Sequence, residues 1–170
     1  MQHSINPITN QVVKTYDSHT KEGIVSIINS VDKTWHLWRS TSFMFRGQLM
    51  QNLSSILRSK KEELALLMAL EMGKVKKEGM AEIEKCASVC DYYAANAESF
   101  LENEHIVTEA TKSYVSYRPI GTILAVMPWN FPFWQVFRFA APTIMSGNTA
   151  VLKHASNVPG CAVALSLIHI

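Results

Sequence analysis

The hydrophobic pattern of this chain changes period once, near residue 105, and that change constrains what it can fold into more than any other feature. Before it, apolar residues recur every three or four positions, the repeat of an amphipathic helix. Ile24, Ile27, Ile28, Val31, Trp35 and Trp38 form one stripe behind the candidate caps Ser18 and Thr20; Leu49, Met50, Leu53, Ile56 and Leu57 form a second over 46–57. A third helix is expected to open at Ser59, whose hydroxyl can accept from the amide near Glu62 while that carboxylate reaches back, and to stop at Gly73. In the fourth, Met80, Ile83, Ala87, Cys90, Ala94, Ala97 and Leu101 alternate spacings of three and four, which leaves a charged, solvated opposite face.

After His105 the pattern is that of strands. Tyr114, Val115 and Tyr117 make a short run ended by Pro119, an edge or extension strand. Residues 121–127 (GTILAVM) are a solid apolar run bounded by Gly and Pro, as in a parallel strand covered on both faces. A helix is expected from Pro132, which suits a first helical turn, to Gly147, kinked or split at Pro142. Residues 148–153 (NTAVLK) read as a second buried strand, and Asn157 with Pro159 opens a helix running to the last residue. Strand, helix, strand, helix is one right-handed crossover unit of a doubly wound sheet. The expected fold class is therefore α/β: a helical amino-terminal segment followed by the first β-α-β-α of a Rossmann-like parallel sheet. The organisation expected is an amino-terminal strand and helical covering segment at 1–104, an edge or oligomerisation strand at 105–119, and an incomplete dinucleotide-binding domain at 120–170. Two parallel strands cannot cover the helices they need, and the apolar, uncapped end at Leu165, Leu167, Ile168 and Ile170 points to truncation.

Composition excludes several classes of function. A chain of 170 residues, 48% hydrophobic and 18% charged, is globular and long enough for one core. A net charge of +2, scattered along the chain, is no nucleic-acid footprint, so a small molecule is the expected partner. Three cysteines, an odd number, follow a polar start without an apolar secretion segment, and free thiols in the cytoplasm are expected. No apolar run reaches bilayer-spanning length, so no membrane partner is expected.

The residues richest in chemistry are Met127-Pro128-Trp129-Asn130-Phe131-Pro132, at the carboxyl end of the first parallel strand, the edge where open α/β sheets bind ligands. Two prolines brace a loop whose Asn130 amide can donate two hydrogen bonds. From spacing alone it reads either as a cap of the next helix or as a fixed donor to an oxyanion. Arg138 is the one charge among Phe133, Trp134, Val136, Phe137 and Phe139; it either snorkels to water or grips a carboxylate with two parallel bonds. Lys153 either closes its strand in solvent or serves a ligand at that edge. Cys90 and Cys161 read as small core residues, and Cys86 with Cys90 lacks the further ligands a metal would need, so no metal is expected. His36, His105 and His154 have no partner pattern and read as surface or interface residues.

PWNFP, then a helix, a Gly-Asn turn and a strand ending in Val-Leu-Lys resembles the aldehyde dehydrogenase family over nearly the whole chain. Glu71-Met72-Gly73-Lys74 is similar to that family's helix-ending signature, and Asn6-Pro7 to its opening strand turn. The resemblance implies a truncated aldehyde dehydrogenase fold in which Asn130 donates to the oxygen of the thiohemiacetal. It also implies that Met127, Pro128 and Trp129 line the nicotinamide ribose region, while Lys153 bonds the adenosine ribose. Ser156 stands where NAD-specific members carry a glutamate, so NAD or NADP can serve as cofactor. Phe131 and Arg138 fall on the substrate side, and the Trp134-Gln135 pair and Arg138 resemble the succinate-semialdehyde branch. The implied reaction is NAD(P)-dependent oxidation of a small aldehyde with a distal carboxylate, succinate semialdehyde to succinate, in a homo-oligomer joined near Tyr114 to Arg118. Nucleophile and base would lie in a later portion, leaving this chain inactive alone. The alternative is a non-catalytic fragment that binds full-length subunits, and after it a helical adaptor built from residues 20–101.

Overall fold

The computed structural model describes residues 1–166. The chain opens with an antiparallel hairpin, β1 (Gln2–Ile5) and β2 (Val12–Tyr16). Its turn is held by Asn6, whose side-chain oxygen accepts from the amides of Ile8 and Thr9 at 2.9 and 3.2 Å, and by Asn10 at φ 58°. Four helices follow: α1 (Lys21–Trp38), α2 (Phe43–Ser59), α3 (Lys61–Met72) and α4 (Lys76–Phe100). A short antiparallel pair, β3 (Glu104–His105) with β4 (Tyr114–Val115), leads into β5 (Thr122–Val126), α5 (Trp134–Met145), β6 (Thr149–Lys153) and α6 (Pro159–Ser166). The structure is thus α/β, a helical segment followed by one β-α-β-α unit, with β5 and β6 parallel and in register from Thr122↔Thr149 to Val126↔Lys153.

Local chemistry accounts for most boundaries. Thr20 caps α1 by accepting from the Gly23 amide at 3.0 Å, and Ser42 caps α2 by accepting from Phe45 at 3.2 Å. Gly73, at φ 72°, ends α3 in the left-handed conformation that a side chain would strain. The buried Asn148 side chain accepts from the amides of Ile120 and Gly121 at 2.7 and 3.1 Å, tying the start of β5 to the start of β6.

The core lies between α2, α3, α4 and α5, where Met50, Leu57, Leu64, Met68, Ile83, Cys86, Cys90, Phe133 and Met145 are buried. α4, the longest helix, packs against the other three; α1 packs against the β5–β6 sheet, and its Trp38 indole donates to the Ile144 carbonyl at 3.0 Å.

Several expectations need correction. Ser59 does not open α3: it is the last residue of α2, its hydroxyl donates to the Ile56 carbonyl at 2.8 Å, and α3 begins behind Lys60 without a side-chain cap. A single residue between two helices leaves no extended position for a cap. Pro132 sits in the turn before α5, whose first residue is Trp134, and Pro142 lies inside an α5 that is not split. The apolar stripe of α1 contains no buried residue, and Leu124 and Val126 of β5 are 67% and 63% exposed, so one face of the sheet is uncovered. Of the apolar end, Leu167, Ile168 and Ile170 lie outside the described residues.

Candidate functional site

The carboxyl edge of the parallel pair is where the chemistry-bearing residues meet. Val126 and Lys153 are register partners, and the Met127 amide donates to the Lys153 carbonyl at 3.1 Å, so the PWNFP loop leaves the sheet beside the end of β6. Lys153 and Ser156 are exposed there, and the Ser156 carbonyl accepts from the Gln2 side chain. On the same rim, Trp129 is half-exposed beside Asn157 and Glu71. Residues 127–129, 153 and 156 therefore occupy one edge.

Asn130, Phe131 and Arg138 lie together in a groove of about 610 Å³ between α4 and α5, with Lys74, Glu82 and Trp134 among its walls. Asn130 is exposed, and its side chain makes no hydrogen bond among the described residues. The capping alternative is not realised: the first amides of α5 are taken by another residue. Arg138 is exposed and has no carboxylate within ion-pairing distance among the described residues.

Four residues to which the sequence analysis gave no part in this site, Glu82, Lys74, Glu71 and His154, hold its edge together. Glu82 Oε1 accepts from the amides of Phe133 and Trp134 at 2.9 Å each, so a carboxylate from α4 caps α5. Its other oxygen pairs with Lys74, which also donates to the Asn130 carbonyl at 3.4 Å and lies 3.9 Å from the centre of the Phe131 ring. Glu71 does the same for α6, its two oxygens accepting from the amides of Gly160 and Cys161 at 2.8 Å each. His154, expected at a surface or interface, is half-buried: Nε2 is 2.8 Å from the Pro132 carbonyl and Nδ1 accepts from the Ala155 amide at 2.8 Å. With Nδ1 accepting, the network assigns the proton to Nε2, which then donates to the loop. The signal for the glutamates was register: Glu82 keeps the spacing of Gly79, Ile83 and Cys86, and Glu71 that of Leu64 and Met68, both within buried stripes. A charge in an apolar stripe demands a partner.

The Glu71-Met72-Gly73-Lys74 stretch thereby acquires a physical meaning. Glu71 fastens the second crossover helix, Gly73 turns the chain, and Lys74 reaches the loop before the first.

None of the cysteines is built as a nucleophile. All three are buried, burial pushes each thiol upward, and Cys90 reaches about 12, so the thiolate is negligible near neutrality. Among the described residues no group of three His, Cys, Asp or Glu gathers as metal ligands, and no helix is long and apolar enough to cross a membrane.

A family model described as aldehyde dehydrogenase family matches residues 1–169. A probable succinate-semialdehyde dehydrogenase, NADP(+), from Synechocystis sp. is 48% identical over 165 residues, covering 97% of this chain and 36% of that protein. Succinate-semialdehyde dehydrogenase, NADP(+), 1 from Mycobacterium tuberculosis is 43% identical over 166 residues, 96% of this chain and 36% of that protein. Among solved structures, the succinic semialdehyde dehydrogenase of Streptococcus pyogenes in complex with NADP+ superimposes with a TM-score of 0.94 at 34% identity, covering 99% of this chain and 37% of the other. The chain thus spans little more than a third of the length of the relatives it matches.

Proposed function

Because this chain belongs to the aldehyde dehydrogenase family, we propose that it forms the amino-terminal part of a subunit that oxidises a small aldehyde with a distal carboxylate, succinate semialdehyde, to the acid. Residues 1–104 act as cover, 105–119 as an edge for assembly into a homo-oligomer, and 120–170 as the start of the cofactor-binding domain. The observation that carries the reading is the common groove: among the described residues Asn130 is an amide donor with no partner and Arg138 a cation with no carboxylate partner, and both line the same cleft.

In this reading Asn130 holds the oxygen that becomes negative when a thiolate adds to the aldehyde carbon; a donor fixed in place costs nothing to reorient as charge develops. Arg138 binds the far carboxylate through its planar fork, and Phe131 borders the path between them. In this reading the thiolate comes from polypeptide outside residues 1–166, since Cys86, Cys90 and Cys161 are buried and held protonated, and the base is taken to accompany it. A nicotinamide cofactor supplies the hydride acceptor when bound.

The carboxyl edge of β5 and β6 fits such a cofactor. Glu71 occupies the first amides of α6, so phosphate cannot use that helix end, and recognition falls to the exposed side chains of Lys153 and Ser156. Met127, Pro128 and Trp129 border the other side. No carboxylate at position 156 repels a 2′-phosphate, which supports NADP alongside NAD.

The test is substrate discrimination in the complete subunit. Arg138→Leu is expected to raise KM for succinate semialdehyde by about 10- to 100-fold, the loss of a charge-assisted pair, while KM for butanal stays within about twofold. Equal changes for both aldehydes, or none for either, would refute Arg138 as the carboxylate site.

A further inference from the structure

The Lys74–Glu82 pair is buried, with side chains 6% and 1% exposed. Folding alone does not call for it, because apolar side chains of similar volume serve a core as well or better than a desolvated ion pair. What apolar side chains could not do is hold the loop. Glu82 takes the amides of Phe133 and Trp134, and Lys74 takes the carbonyl of Asn130 and lies against the ring of Phe131. Four residues on both sides of Pro132 are thus fixed by two side chains from the α3–α4 corner. The Asn130 side chain has no hydrogen bond of its own among the described residues, so what the protein fixes there is the backbone from which it projects, the point Lys74 grips.

We infer that Lys74 and Glu82 are positioning residues for the Asn130 amide, joined through one buried ion pair that sets the loop's backbone. The inference rests on the reading of Asn130 as the oxyanion donor. Both stand in the wall of the groove, but their polar atoms are taken up by each other and by the loop, so both act through the backbone at Asn130. Their loss should therefore slow the chemical step and leave binding of the aldehyde, made by Arg138, largely intact.

The experiment is a double-mutant cycle in the complete subunit, with succinate semialdehyde and NADP as substrates and thermal melting as the check on folding. Lys74→Met is expected to lower kcat by roughly 10- to 100-fold, the scale of a misplaced catalytic group, with KM for the aldehyde within about twofold. In an Asn130→Ala background the same substitution should change kcat by less than about twofold, because the group it positions is gone. A loss of equal size in both backgrounds, or a folded Lys74→Met enzyme with wild-type kcat, overturns the inference. Should Lys74→Met fail to fold for want of a partner to the buried Glu82 charge, Lys74→Met combined with Glu82→Gln, whose neutral oxygen still accepts from the Phe133 and Trp134 amides, is measured in the same cycle and judged by the same outcomes. If Asn130→Ala is itself as fast as wild type, the oxyanion reading fails and this inference with it. If Asn130→Ala is slow while the Lys74 variants are fast, only the positioning role fails.

Discussion

Gly160 has no room for a methyl group: a Cβ there would stand 2.7 Å from Glu71 Oε1 and 2.7 Å from the Tyr16 hydroxyl. The glycine lets a buried carboxylate approach the first amides of α6, and burial together with that carboxylate raises the Tyr16 phenol above its ordinary value. Glu71→Ala should cost roughly 2–3 kcal/mol in urea unfolding, the worth of hydrogen bonds to a charged group plus the amides left bare. Gly160→Ala should cost a similar amount, and the double variant should fall well short of the sum because both changes remove one contact. Fully additive losses would show that the cap is not what Gly160 protects. For the cysteines, alkylation of the native protein near neutrality should leave Cys86, Cys90 and Cys161 unmodified until denaturant is added; labelling of any of the three at the rate of a free thiol would contradict their burial. At this scale the sequence was informative where a residue's chemistry is local, as with Thr20 and Gly73. For Glu71 and Glu82 it offered only their register in a buried stripe, and for His154 nothing, because their partners lie 89, 51 and 22 positions away.

Helices and strands were legible where the apolar period was strong, with a cap at α1 and Gly or Pro beside β5 and α6, which is why α1, α4, β5, β6 and the start of α6 fall near their expected places. The misreading at Ser59 came from a pattern that fits two positions, a cap before α3 or the end of α2; α2 continued because the buried Leu53 and Leu57 extend its stripe to that point. α2, α3 and α4 are also braced outside the core. Arg58 reaches Glu84 and Asp91 at 2.8 Å each, and Lys61 reaches Glu84 at 3.1 Å. The Arg58 hydrogen bond, then that of Lys61, lowers the Glu84 pKa below the ordinary glutamate value. A depressed carboxylate contributes stability that is present above its unfolded pKa and lost as pH falls through its folded pKa. The side chains are about 40% exposed, and solvent screening limits the effect. Glu84→Gln should therefore cost less than about 1 kcal/mol near neutral pH and nothing measurable once wild-type Glu84 is protonated. A penalty that persists in acid would mean that Glu84 acts through packing instead.

For the whole molecule, the uncovered apolar surface is informative. Ile24 and Ile28 of α1 are 46% and 45% exposed, and Leu124 and Val126 present a bare face of β5. Such faces need cover from further polypeptide or from other copies. The 170-residue chain studied alone is expected to self-associate in sedimentation experiments, and Leu124→Ser with Val126→Ser should reduce that; a clean monomer at tens of micromolar (~10–50 μM) would show that the faces tolerate water. The division of labour proposed across this molecule places the oxyanion donor, one edge of the cofactor cleft and the substrate cation in residues 1–166, with the nucleophile elsewhere. Its most direct test is kcat for succinate semialdehyde in the complete subunit carrying Asn130→Ala. Loss of an oxyanion donor predicts a fall of about 10²–10³-fold with cofactor affinity unchanged; a variant that turns over at the wild-type rate would contradict the account.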